Sequence, residues 1–238
     1  MRINDINKTN FQAKNPFVRK ADTLVRKVNK EIPTISVNKY AHFYNSPNFV
    51  YKDFFIKLDD KFYYEVRGPL ESIMDTSNAF DYLNTAIKYL KNSPLANCNE
   101  LVDITQIIFA MNGIKTFKAV LEPNIDHICL LAHIEQTKTI EDLSLECVRK
   151  DARELHDIIV IDPWLNFVDY APNASYKFQN DYLKFIEDPI ARELGESFNI
   201  SKVVPEIYFS PYIESSLFVT PELKKVLVKT FPNLVWYK

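Results

Sequence analysis

Cys98, His127 and Asp162 are residue types that together can activate a thiol as a nucleophile. A thiolate is stabilised most often by a helix N-terminus and by a nearby imidazole, both of which lower the pKa of a cysteine. An acidic third group then holds the imidazole in the required tautomer. The chemistry expected of these three residues is acyl transfer through a thioester, with Cys98 as nucleophile, His127 as general base and Asp162 as the orienting acid.

The local sequence predicts that Cys98 lies at the first position of a helix. Asn97 is a favourable N-cap, and Glu100 follows at the spacing of a capping box. Apolar residues recur at helical spacing as far as Met111, and Gly113 provides a C-terminal cap. We therefore expect a helix of about 14 residues with the thiol at its positive end.

The next segments predict three strands, over residues 115–122, 126–135 and 157–164. His127 opens the second strand, and Asp162 closes the third, where a buried carboxylate needs a partner. Residues 137–156 are charged and compatible with a helix at the rim. A helix followed by strands favours an α+β fold over alternating βαβ units.

Elsewhere the pattern is less regular. An amphipathic helix is expected after Pro16 and another over residues 77–91, whereas residues 40–67 suggest irregular structure and short strands. After Tyr170 prolines punctuate the chain, leaving helical patches near 181–187 and 221–229. With three glycines in the chain, a Gly-rich phosphate loop is not expected.

Composition narrows the class of protein. The chain has 238 residues, 47% of them apolar, and a net charge of −2, which gives no argument for nucleic acid as a partner. It contains no apolar run of the roughly 18 to 20 residues that a membrane span requires. Three cysteines favour a reducing compartment and free thiols. No cofactor is expected. A metal site could be formed by His127, Cys129, His133 and Asp162, but ligands that alternate along one strand do not match the usual paired spacing of metal ligands.

The first 30 residues carry eight basic and two acidic groups, a net charge of +6. We predict a basic N-terminal segment over residues 1–35, partly flexible or acting as a secretion leader, followed by one domain over residues 36–238. The segment suits either a solvated helix laid on the domain or contact with an acidic membrane or partner through residues 1–30.

The order of a cysteine at a helix start, Asp126-His127 opening a strand and an apolar strand ending in Asp162-Pro163-Trp164 resembles the transglutaminase-like branch of the papain-like cysteine enzymes. Within that branch the sequence is most similar to bacterial effector and toxin domains that deamidate glutamine in host proteins. The resemblance covers residues 95–166. It departs from the family at Asn97, where many relatives have glycine, and in the long interval between His127 and Asp162.

The resemblance implies a papain-like or transglutaminase-like fold in which the nucleophile helix packs on an antiparallel sheet. It also implies a glutamine deamidase that acts on a host protein and is delivered from the bacterial cytoplasm to the host cytosol by a specialised secretion system. A cysteine peptidase, a transglutaminase and a catalytically idle binding module remain alternatives. His133 is a rival base, and Cys129 and Cys147 are expected to be inert. The Cys98 amide and one of Asn92, Asn97 and Asn99 are candidate oxyanion donors.

Overall fold

The computed structural model describes residues 15–33, 52–74, 79–93, 95–122, 127–147, 150–186, 207–211, 220–232 and 234. These residues form an α+β structure around a five-stranded antiparallel sheet. The helices are α1 (Pro16–Glu31), α2 (Lys52–Phe62), α3 (Gly68–Met74), α4 (Ala79–Asn92), α5 (Cys98–Met111), α6 (Ile140–Cys147), α7 (Ala171–Ile186) and α8 (Pro221–Thr230). The strands are β1 (Phe117–Glu122), β2 (Ile128–His133), β3 (Ile158–Asp162), β4 (Phe167–Tyr170) and β5 (Tyr208–Pro211).

The sheet has the order β4-β3-β2-β1-β5, and each neighbouring pair is antiparallel. Helices α1 and α5 contribute buried side chains to one face of the sheet. Helices α6 and α7 cover the other face. A further apolar cluster joins α5 to α3, α4 and α8. Helix α5 is therefore enclosed between the sheet and a helical layer, and almost all of its residues are buried, including four polar ones.

The prediction of an α+β fold is confirmed, and so are the helix at Cys98 and the three predicted strands. The helix predicted after Pro16 is also confirmed, with the Asn15 side chain accepting the Phe17 N–H at 2.9 Å. Its apolar stripe is buried against α5, β3 and β4, so these residues belong to the core. Residues 1–14 and 34–35 lie outside the described residues, and the division at residue 35 stays a prediction.

The prediction of short strands over residues 40–67 is wrong for its described part, which is helical from Lys52 to Met74. Phe62, Val66 and Leu70 are buried at intervals of four residues, a helical period that the aromatic and β-branched content obscures. The turn Tyr63–Arg67 is π-helical, and the Gly68 N–H bonds to the Tyr63 carbonyl. The wider turn lies directly before Pro69, which has no N–H to donate to a regular helical hydrogen bond.

Two strands were not expected from the sequence, β4 and β5. Each has only four residues, too few to show a period, and each is defined by pairing with a longer neighbour. Helix α7 begins ten residues before the predicted patch at 181, because Pro172 stands in its first turn, where a missing N–H costs nothing.

Candidate active site

Cys98 is the first residue of α5, and a capping box formed by its neighbours fixes the start of the helix there. The Glu100 side chain accepts the Asn97 N–H at 2.9 Å and completes a capping box with Asn97. The first amides of a helix have no partner within it and carry the positive end of the helix dipole. The Cys98 sulphur and its own N–H therefore lie where negative charge is stabilised, in a residue that is only 7% exposed.

His127 precedes β2, and the Leu121 N–H donates to its carbonyl at 3.0 Å, which extends the ladder between β1 and β2 to this residue. In the antiparallel pairing of β2 with β3, Leu130 lies opposite Ile161. The start of β2 therefore meets the end of β3, where Asp162 lies. The 35-residue interval between His127 and Asp162 is closed by the sheet, and its length does not affect their distance.

His127 Nε2 lies 2.6 Å from Asp162 Oδ2. Asp162 has no exposed surface, and its second oxygen accepts the Leu165 N–H at 2.9 Å. Both carboxylate oxygens are thus used, which fixes the plane of the carboxylate and, through it, the orientation of the imidazole.

Cys98 also interacts with His127 and is one of the groups that raise its pKa. Because Nε2 faces Asp162, the ring nitrogen left for the thiol is Nδ1. Burial by itself would lower the pKa of His127, but the charge and hydrogen bond of Asp162, followed by those of Cys98, raise it to about 10. The imidazole therefore favours the protonated form, placed between a carboxylate and a sulphur that can carry negative charge.

Two aromatic rings hold the imidazole from its sides. The Trp164 ring centroid lies 5.0 Å from that of His127, and the Phe178 centroid lies 5.9 Å away. Trp164 also packs against the helical core. These walls exclude water from the imidazole, which strengthens its interactions with Asp162 and Cys98.

The rival assignments are separated by the fold. His133 occupies the far end of β2, six residues from His127, which corresponds to about 20 Å of strand. His133 is therefore wrong as the base for Cys98. All three cysteines are free thiols, and burial raises the pKa of Cys129 well above its ordinary value and that of Cys147 to about 12. Among the described residues, no three His, Cys, Asp or Glu side chains are arranged to hold a metal ion.

The candidates for the second oxyanion donor occupy different positions. Asn92 ends α4 and is exposed, whereas Asn97 is buried in the cap of α5. Asn99 is half-buried, and its Oδ1 accepts from Lys118 Nζ at 2.9 Å. Asn97 and Asn99 both flank Cys98, so the choice of second donor stays a prediction. Asp126, expected beside His127, lies outside the described residues.

Sequence reasoning missed two ion pairs on the first two turns of α5. Arg67 Nε lies 2.9 Å from Glu100 Oε1, and Lys118 Nζ lies 2.6 Å from Asp103 Oδ1. Tyr82 donates to the other oxygen of Asp103 at 2.9 Å. Two acidic residues in an apolar helix were the available signal, since a buried carboxylate requires a partner, but their partners come from distant segments.

Comparisons of the chain with protein-family models, with curated proteins and with solved structures found no match. No helix in the described part of the chain is long and apolar enough to cross a membrane.

Proposed function

We propose that this protein is a cysteine-dependent amidohydrolase that converts a glutamine side chain of a target protein to glutamate. The observation that carries the proposal is the position of His127, which is hydrogen-bonded to the buried Asp162 carboxylate and whose pKa is also raised by Cys98 at the start of α5. Thiol acyl transfer requires a base that lies between a nucleophile and an orienting acid, and His127 lies between Cys98 and Asp162 in this way.

The reaction begins with the proton already on His127, and the Cys98 sulphur attacks the carboxamide carbon as the thiolate. The oxygen of the tetrahedral intermediate gains negative charge and accepts a hydrogen bond from the Cys98 N–H. The imidazolium then donates its proton to the nitrogen, and ammonia leaves as the thioester forms. Water, deprotonated by His127, hydrolyses the thioester to glutamate and regenerates the thiol. Asp162 holds the imidazolium in place throughout.

The burial of Cys98 supports a side-chain amide as the substrate. A glutamine side chain is a slender group that can reach a sulphur in a residue only 7% exposed. A peptidase must accommodate the main chain on both sides of the bond, which requires an open cleft. A transglutaminase uses the same first step and replaces water with an amine, so the acceptor alone distinguishes it from a deamidase.

The arrangement of a cysteine at the start of a helix, packed against an antiparallel sheet that supplies histidine and aspartate, supports a papain-like or transglutaminase-like fold. The resemblance of residues 95–166 to bacterial glutamine deamidases supports an effector that acts on a host protein after delivery by a secretion system. A reporter fused to residues 1–30 tests that delivery, and a reporter that stays inside the bacterium would remove it from the proposal.

Incubation of the protein with a eukaryotic cell lysate, followed by peptide mass spectrometry, tests the reaction. We expect conversion of specific glutamines to glutamate with the native protein and with Cys129→Ala, and none with Cys98→Ala. New peptide N-termini would indicate a peptidase, and incorporation of an added amine would indicate a transglutaminase. An unreactive Cys98 together with no modification of any kind would leave the idle binding module.

A further inference from the structure

The Glu100 carboxylate connects the start of α5 to a distant arginine. Its Oε2 accepts the N–H of Asn97, the residue before Cys98, and its Oε1 accepts from Arg67 Nε, both at 2.9 Å. The Glu100 side chain is only 1% exposed. Burying a carboxylate to this extent is costly unless a partner compensates it, so the contact of Glu100 with Asn97 depends on Arg67.

Arg67 is held in place by the unusual geometry of its own helix. It is the last residue of the π-helical turn between α2 and α3, a kind of distortion found frequently at functional sites. Its guanidinium carbon lies 5.2 Å from the centre of the Phe62 ring, where the guanidinium and the ring face attract each other. The side chain is 31% exposed, so the guanidinium lies at the boundary between the core and solvent.

The charge of Arg67 also interacts with the nucleophile. Burial tends to lower the pKa of Arg67, but Glu100, then Glu71 and Cys98, raise it above its ordinary value. Since an electrostatic interaction is mutual, a cation that responds to charge on Cys98 acts on that charge in turn. Cys98 therefore experiences two positive contributions, the N-terminal end of the α5 dipole and the side-chain charge of Arg67.

We propose that Arg67 is a positioning residue for the thiol chemistry, holding the start of α5 through Glu100 and maintaining a positive potential at the Cys98 sulphur. The inference rests on the proposed role of Cys98 as nucleophile. During the reaction the same potential favours the negatively charged sulphur and the oxyanion that forms next to the Cys98 N–H.

Alkylation of Cys98 by small reagents of different charge measures this potential directly. The rates for iodoacetate, an anion, and iodoacetamide, its neutral analogue, are determined at Cys98 by site-resolved mass spectrometry. The quantity compared is the rate for iodoacetate divided by the rate for iodoacetamide. Changes in thiol accessibility and ionisation affect both rates and cancel in this ratio. A unit charge within about 10 Å changes the rate for an anion by roughly two- to tenfold at an effective dielectric constant of about 25 to 80. We expect the ratio to fall by this factor in Arg67→Met.

Two further variants distinguish charge from structure. Arg67→Lys keeps the cation and should restore most of the ratio. Arg153→Met is the matched control, because Arg153 also pairs with a nearly buried carboxylate, Asp151, that caps a helical turn. The control should leave the ratio unchanged. Equal ratios in the native protein and Arg67→Met, with folding confirmed by circular dichroism, would overturn the proposal.

Glu100→Gln provides a test of opposite sign and replaces Arg67→Met if that variant does not fold. The glutamine oxygen still accepts the Asn97 N–H, while the negative charge is lost and Arg67 remains, so the ratio should rise above the native value. A ratio that falls or stays constant contradicts the proposal. If native Cys98 reacts with neither reagent, the proposed function fails too, whereas a reactive Cys98 with an unchanged ratio refutes the role of Arg67 alone.

Discussion

Replacement of Asp162 by asparagine should convert His127 from a predominantly protonated to a predominantly neutral group at pH 8. Asparagine has the same shape, and its oxygen can still accept the Leu165 N–H that Asp162 Oδ1 accepts at 2.9 Å. Its amide nitrogen, however, faces His127 Nε2 as a donor. The imidazole must then accept at Nε2 and carry its proton on Nδ1, so it cannot take the proton of Cys98.

The magnitude follows from the contributions to the pKa of His127. In the native protein this pKa is about 10, because the charge and hydrogen bond of Asp162, with smaller contributions from Cys98, outweigh the lowering by burial. Without the Asp162 charge, only Cys98 opposes the lowering by burial, and the pKa should fall towards its ordinary value of about 6.5. At pH 8 the protonated fraction then changes from about 99% to about 3%, a loss of roughly 30-fold in the acid that the proposed reaction uses to protonate ammonia.

Nuclear magnetic resonance titration of the imidazole nitrogens measures this change without a substrate. The signals of His127 are assigned with His127→Gln, and Asp169→Asn is the matched control, because it removes a carboxylate from the neighbouring strand β4. Cys98→Ala should lower the pKa of His127 by less than Asp162→Asn does. A native His127 that titrates near 6.5, or an Asp169→Asn variant that matches Asp162→Asn, would refute the proposed linkage.

The remaining predictions concern the other thiols, the packing and the pH dependence of stability. In the folded protein at pH 8, Cys129 and Cys147 should be alkylated far more slowly than Cys98, because burial raises the pKa of both, and mass spectrometry at each site tests this. Gly113→Ala should lower the free energy of unfolding by about 1 kcal/mol in urea titrations, because residue 113 has φ of 69°. An added Cβ would meet no atom within 4 Å, so the cost comes from backbone strain and not from a steric clash. Ile104→Ala, at a fully buried position of α5, should cost about 2 to 5 kcal/mol in the same assay, and a cost below 1 kcal/mol would contradict its place in the core. Protonated His127 contributes stability that is complete below its unfolded pKa of about 6.5 and is lost as the pH rises through about 10, so the unfolding free energy should decline over this range. The raised pKa values of Cys129 and Cys147 also make the unfolding free energy decline as the pH rises, in every variant. The test is therefore whether this decline is smaller in Asp162→Asn than in the native protein.

The site could be predicted from the sequence where its determinants are local. Asn97 and Glu100 fix the start of α5 within four residues, and this places Cys98 at the N-terminus whatever surrounds the helix. The apolar strand that ends in Asp162 likewise indicates a buried carboxylate, and His127 at the start of another strand indicates a partner for it. Chain order and strand pattern thus sufficed to nominate the three residues.

The environment of these residues was decided by tertiary structure. The antiparallel register between β2 and β3 brings His127 to 2.6 Å from Asp162, although 35 residues separate them along the chain. Arg67 reaches Glu100 from a helix whose aromatic and β-branched residues suggested strands, because burial of one helical face outweighs local propensity. Capping and periodicity act over a few residues and can be recognised in sequence, whereas ion pairs, short edge strands and the pKa of a buried imidazole depend on which distant segments exclude water together.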